Sequence, residues 1–186
     1  MNHVLALSIA FILIIVLLWV LLWQFSLLMA LIFGAPVVYT NKRALIDAFD
    51  FAGLKPGNTI IDLGCGDAGS LILAAKKYGV KGIGVERSPF FYFYSKLKVH
   101  LSGEKENIKI IYGDFKKAEQ YISQADFIYV YLLPNVLKKI ENWLFSGIKD
   151  TSKIISMSFY FSEHQPVLFK ETINLGDKTK ILLYQK

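Results

Sequence analysis

Thr59-Ile60-Ile61-Asp62-Leu63-Gly64-Cys65-Gly66-Asp67-Ala68-Gly69-Ser70 decides how this chain is read. A short, mostly apolar run leads into a glycine-rich turn, which reads as a buried strand entering a loop. Ser70–Tyr78 then carries a helical pattern, so the unit is strand, glycine loop, helix. Glycines at this junction let a ligand approach the backbone, and the helix start offers unpaired N–H groups.

The alternation continues outward. Upstream, Lys42–Ala52 places Ala44, Leu45, Ala48, Phe49 and Ala52 on one helical face, with Thr40 expected as N-cap and Gly53 as the closing glycine. Downstream, strand Gly82–Val85 precedes helix Pro89–Leu101, with Ser88 as N-cap and Pro89 at its first position. Strand Ile108–Tyr112 leads to a helix near Lys116–Ile122, and strand Phe127–Tyr131 to helix Asn135–Phe145. Strand Ile154–Phe159 follows. Two strand-like runs, Val167–Asn174 and Lys180–Gln185, have no helix between them and predict a β-hairpin. Alternating β and α with apolar strands means an α/β, doubly wound, mostly parallel sheet.

The N-terminus is of another kind. Val4 to Phe33 is apolar apart from Ser8, Gln24 and Ser26, and as a helix would be about 45 Å long against a hydrocarbon core of about 30 Å. One pass fits and two do not. The stretch is too long for a signal peptide, has no Lys or Arg before it and no A-x-A site after it, so a retained anchor over 1–35 is expected, ended by Gly34-Ala35-Pro36. Lys42, Arg43 and Lys55 follow the span, which by the positive-inside rule puts residues 36–186 on the cytosolic or matrix-equivalent side. The first charged side chain is Lys42, so all 21 basic and 15 acidic residues of the 186 lie beyond the apolar run. That is an ordinary charge density for a soluble domain of about 145 residues. It excludes a polytopic transporter and a disordered chain. The net charge of +6 suits an anionic membrane surface, whereas the basic residues form no tract of the kind that binds nucleic acid. One cysteine, Cys65, excludes a disulfide framework, and His3, His100 and His164 stand too far apart for a metal site.

Gly64-x-Gly66-x-x-Gly69 with Glu86 at a strand end fits a nucleotide-binding fingerprint, the acid placed to meet ribose hydroxyls. Two more acids narrow the ligand. Asp62, just before the loop, would repel a pyrophosphate and attract a cationic amino-acid head group. Asp114, ending the third strand in Tyr112-Gly113-Asp114, can accept from an adenine amino group. A nucleoside at one end and positive charge at the other describes S-adenosylmethionine. Cys65 reads as a small filler within the loop, since nothing beside it would activate a thiolate. Five consecutive aromatics, Phe90 to Tyr94, cannot all face a core, and some should meet the anchor or the membrane interface. His164 reads as a surface-loop histidine.

Ile60 to Asp67, Gly84-Val85-Glu86 and Gly113-Asp114 resemble the class I methyltransferase motifs in their usual order. More narrowly, the anchor, Gly34 to Thr40, Val85-Glu86-Arg87-Ser88-Pro89 and Ala125 to Pro134 resemble the membrane-bound protein-lysine methyltransferases acting on the ATP synthase c subunit and adenine nucleotide translocase. The resemblance implies a seven-stranded Rossmann-like methyltransferase sheet, S-adenosylmethionine as cofactor, and contacts to it from Asp62, Gly64, Cys65, Gly66, Glu86 and Asp114. It also implies that Tyr131 and Pro134, at the end of the fourth strand, line the methyl-transfer site. The family reads Asp-Gly-Arg where this chain has Asp67-Ala68-Gly69, and Ala68 fits the loop if its φ is negative. The function expected is transfer of a methyl group to a lysine amine of a membrane protein, with no metal. A lipid or quinone head group is the alternative acceptor, and a cofactor-binding assembly factor the non-catalytic alternative.

Overall fold

In this computed structural model residues 2–33 and 39–186 are described. The expected end of the anchor at Gly34-Ala35-Pro36 and the 35/36 boundary lie outside them. Helix α1 (Asn2–Phe33) comes first, followed by α2 (Lys42–Ala52), β1 (Thr59–Leu63), α3 (Gly69–Tyr78), β2 (Lys81–Glu86), α4 (Pro89–Leu101) and β3 (Ile108–Tyr112). A 3₁₀ turn (Phe115–Ala118) runs into the short helix α5 (Glu119–Ile122). Then come β4 (Phe127–Val130), α6 (Pro134–Gly147), β5 (Lys153–Met157), β6 (Leu168–Asn174) and β7 (Asp177–Gln185).

The seven strands form one sheet in the order β3-β2-β1-β4-β5-β7-β6. The first five are parallel, while β7 runs antiparallel to β5 and forms the expected hairpin with β6. Side chains alternate between faces along each strand. Ile60, Tyr129, Ile155 and Leu183 join a core with α2, α3 and Val99 of α4, while Ile61, Ile128, Ile154 and Leu182 join a second core with α5 and α6. Strand order reverses at β1, between β2 and β4, and a crevice therefore opens beyond the carboxyl ends of those strands.

Several expected boundaries move by a few residues, three of them for local reasons. Asn41, not Thr40, caps α2, its side chain accepting from the Ala44 N–H at 2.8 Å. The Thr40 hydroxyl is engaged instead with the Tyr129 hydroxyl at 3.1 Å. The helix expected near Lys116–Ile122 begins as a 3₁₀ turn and is α-helical only over Glu119–Ile122. β5 stops at Met157 rather than Phe159, because Ser158 turns the chain with φ of 68°.

His3–Leu28 of α1 is long and apolar enough to cross a membrane, with mean hydropathy 3.2. Its side chains are exposed from Val4 to Phe25. Toward its C-terminal end it meets the domain: the Trp19 ring lies 4.9 Å from Phe90 of α4, and Ser26 is buried.

Candidate active site

β1 delivers Asp62 and β2 delivers Glu86 to the same edge of the sheet, with the glycine loop between them. Gly64 and Gly66 hold φ of 87° and 52°, a left-handed backbone that glycine adopts without strain. A Cβ on Gly64 would press on Leu132 at 3.3 Å, so the turn also needs the missing side chain for space. Glu86 ties the loop down. Its carboxylate accepts the Gly66 N–H at 2.8 Å and the Ser88 N–H at 2.7 Å. Burial still raises its carboxyl above the ordinary value, with those N–H groups pulling the other way.

Asp62 is more deeply placed, 4% exposed, and accepts a hydrogen bond from the Ser70 hydroxyl at the start of α3. Burial pushes its carboxyl up to about 7, against the Ser70 hydrogen bond and helped by the nearby acids Glu86 and Asp67. An acid held this way gains most from a cation in the adjoining space. Burial likewise pushes the Cys65 thiol up, and its sulfur occupies space that a Cβ on Gly84 would need. Cys65 is thus packing, not a nucleophile.

Asp62, Gly64, Cys65, Gly66, Glu86 and Asp114 all line one cleft of about 1210 Å³ at the crevice. Asp114 stands at its rim, its side chain accepting from the Lys116 N–H at 3.4 Å and lying 4.0 Å from Arg87. Tyr131 reaches the same cleft, its hydroxyl 3.3 Å from that of Ser158. Among the described residues Pro134 stands outside the cleft; it is exposed and opens α6 as a first-turn proline, while Leu132 takes the wall position. His164 is away from the cleft. It stacks on Phe145 at 3.6 Å between ring centroids and meets Glu141 through Nδ1 at 2.9 Å.

Several wall residues carry no sequence signature. Lys98 of α4 bonds Asp67 at 2.5 Å, and Asp67 accepts the Gly69 N–H at 2.9 Å, so a cation from another helix supports the loop whose own arginine is missing. Ala68 sits at φ of 59°, correcting the expected negative angle; it is fully buried in the conformation the family's glycine would adopt freely. Phe25, Ser26 and Leu27 of α1 also line the cleft. The buried Ser26 hydroxyl has no hydrogen-bond partner among the described residues.

This donor set suits S-adenosylmethionine. Glu86, held from behind by two N–H groups, keeps acceptor capacity for paired hydroxyls, and buried Asp62 gains from positive charge. Comparisons with known proteins agree. The chain is similar to an RNA methyltransferase from Salinibacter ruber solved with S-adenosyl-L-homocysteine, with a TM-score of 0.72 and 25% identity, covering 80% of this chain and 93% of that one. It is 27% identical over 143 residues to the protein-lysine N-methyltransferase of Saccharolobus islandicus, covering 76% of this chain and 86% of the relative. It is also 26% identical over 108 residues to the Homo sapiens lysine N-methyltransferase named for the ATP synthase c subunit, where the match spans 58% of this chain and 45% of the relative. Residues 62–168, from the first acid of the cleft to the start of β6, match the ANTKMT methyltransferase domain, and the chain therefore belongs to that family of S-adenosylmethionine-dependent methyltransferases.

Proposed function

We propose that this enzyme methylates a lysine amine on a membrane protein, from a bilayer that α1 crosses once, with the catalytic domain on the cytosolic or matrix-equivalent side. One observation carries the reading. The cleft that gathers Asp62, Glu86 and Tyr131 is also walled by Phe25, Ser26 and Leu27, the domain-side end of the apolar helix. An acceptor held in the bilayer beside α1 is thereby brought near the cleft, raising its effective concentration as a linker would. The named relatives that act on lysine support the choice of acceptor.

Bound S-adenosylmethionine supplies a methyl group on positively charged sulfur, open to direct displacement by an amine. The protein's part is alignment and charge. Glu86 and the Gly64–Gly66 backbone bind the nucleoside end, Asp114 stands at the rim for the base, and Asp62 faces the cationic end. Tyr131 and Leu132 form the wall where the acceptor enters. Lysine reacts as the neutral amine, with an ordinary pKa of ~10.4, and an apolar wall lowers that value by disfavouring the ammonium form. The Tyr131 ring can hold positive charge by cation–π contact. Water takes the amine proton.

Mass spectrometry of membrane proteins from cells with and without the gene tests this directly. Lysine shifts of one, two or three methyl groups should vanish without the gene and fail to return with Glu86→Ala. If labelled methyl from the purified enzyme enters only the lipid extract of native membranes, the acceptor is a head group instead. No labelled product in any membrane fraction, with the cofactor still bound, would turn the reading toward an assembly factor.

A further inference from the structure

Helix α4 has apolar residues on two opposite sides. Phe91, Ser95 and Val99 are buried toward the sheet. At about 100° per residue, Phe93, Leu97 and Leu101 fall roughly opposite them, and they are exposed at 61%, 53% and 75%. The outer face of a surface helix is ordinarily polar. In line with the exposed stripe, at the first turn, lies Phe90, covered by Trp19 of α1 and stacked with Tyr94 at a centroid distance of 6.1 Å. The exposed stripe is thus the uncovered continuation of a surface that α1 already occupies in part. Lys96 and His100, both exposed, border it on the side away from α1.

Depth decides what covers the rest. A bilayer crossing takes about 20 helical residues, and every such window within His3–Leu28 contains Trp19. Phe90 touches Trp19, so the first turn of α4 lies at a depth where α1 is still within the apolar layer. We propose that α4 lies along the boundary of that bilayer, with Phe93, Leu97 and Leu101 dipped among the acyl chains and Lys96 and His100 against anionic head groups. The arrangement is that of an interfacial helix, with an apolar face below and basic residues beside it. It fixes the domain at two points rather than one. The cleft mouth is then held at a constant height over the membrane, and a single flexible tether would not do that. The proposal rests on α1 being a span.

Nitroxide labels test it in the full-length chain, reconstituted in vesicles of phosphatidylcholine and phosphatidylglycerol. Cys65 is only 6% exposed, so an added surface thiol is the one labelled. Labels go on Leu97→Cys, on Leu13→Cys within α1, and on Lys138→Cys on the exposed side of α6. With the proposed placement, dissolved oxygen relaxes the labels at 97 and 13 more than a water-soluble nickel chelate does, and the order reverses at 138. Repeats with Phe93→Cys and Leu101→Cys should match 97. A label at 97 that favours the nickel chelate, while 13 favours oxygen, overturns the interfacial helix and leaves the span standing. Preference for the chelate at both positions removes the span and the proposal with it. An immobilised label at 97 that neither reagent reaches shows that protein covers the stripe, and also overturns it.

Discussion

Asp62 is a carboxylate placed where ionisation is costly, and its titration is therefore an observable of the site. Its folded value of about 7 stands above an ordinary carboxylate value of ~3.9. Between those values the folded chain binds more protons than the unfolded one, so the cofactor-free protein loses stability as pH rises from ~4 to about 7 and levels off beyond. Cofactor affinity runs the other way, because the cation needs the ionised acid. Calorimetric affinity for S-adenosylmethionine should fall about tenfold between about pH 8 and about pH 6. Asp62→Asn should flatten both slopes and weaken binding throughout; a wild-type profile without a pH slope would show that Asp62 does not face the positive charge. Asp62, Glu86 and the loop glycines are legible in sequence because one short segment and one strand end carry them at fixed spacing. Lys98 is not, since its role depends on α4 crossing back over the loop, 31 residues from Asp67. The left-handed Ala68 is hidden for a related reason: sequence shows a residue's preference, and the surrounding packing overrides it.

At the scale of elements, the run from β5 to β6 gives three consecutive N–H groups to one side chain on another element. Glu141 of α6, 2% exposed, accepts backbone N–H groups from Ser162, Glu163 and His164 at 2.9, 2.7 and 3.0 Å as well as the His164 ring. Burial pulls its carboxyl upward, but these hydrogen bonds outweigh burial and hold it below the ordinary value. Its contribution is complete above an ordinary ~4.3 and lost as pH falls through the lowered folded value. Glu141→Ala should leave the three N–H groups unpaired at a cost on the order of 3 kcal/mol. Hydrogen exchange should then show faster exchange at 162–164, with β1 and β4 unchanged. Unaltered exchange at 162–164 would mean the segment is held by its aromatic packing, Phe161 on Phe145 and Tyr184. The strands and the hairpin follow from apolar alternation, which acts locally. Their ends do not. Thr40 has a capping side chain by composition, yet a tyrosine 89 residues away takes its hydroxyl and the cap passes to Asn41. β5 shortens because Ser158, its N–H still on the Lys180 carbonyl of β7, takes a left-handed backbone that turns the chain out of the strand.

At the scale of the whole molecule, the proposed placement divides α1 into a length that needs only to be apolar and a cleft-lining turn that needs particular residues. Its 32 residues make about 48 Å of helix, leaving roughly 18 Å beyond a 30 Å hydrocarbon core. The sequence shows the excess length but not its use. Phe25, Ser26 and Leu27, near the end of the candidate span, line the cleft, whereas none of the exposed residues 4–18 does. Replacing 3–18 with an unrelated Leu/Ile/Val sequence of equal length should therefore leave methyl transfer into native membrane fractions within about twofold, as the bilayer asks only for length and apolarity. Deleting 2–18 should preserve cofactor affinity, because Trp19 and the cleft-lining turn remain. The same deletion should cut transfer into membranes by about 10² or more, since the acceptor must then be met by diffusion in three dimensions. These two readouts, calorimetry and labelled-methyl incorporation, separate the roles. Equal transfer by the deleted form would remove co-localisation from the explanation. Loss of cofactor affinity on deletion would make the outer length of α1 part of the catalytic fold, and the division between span and wall would have to be abandoned.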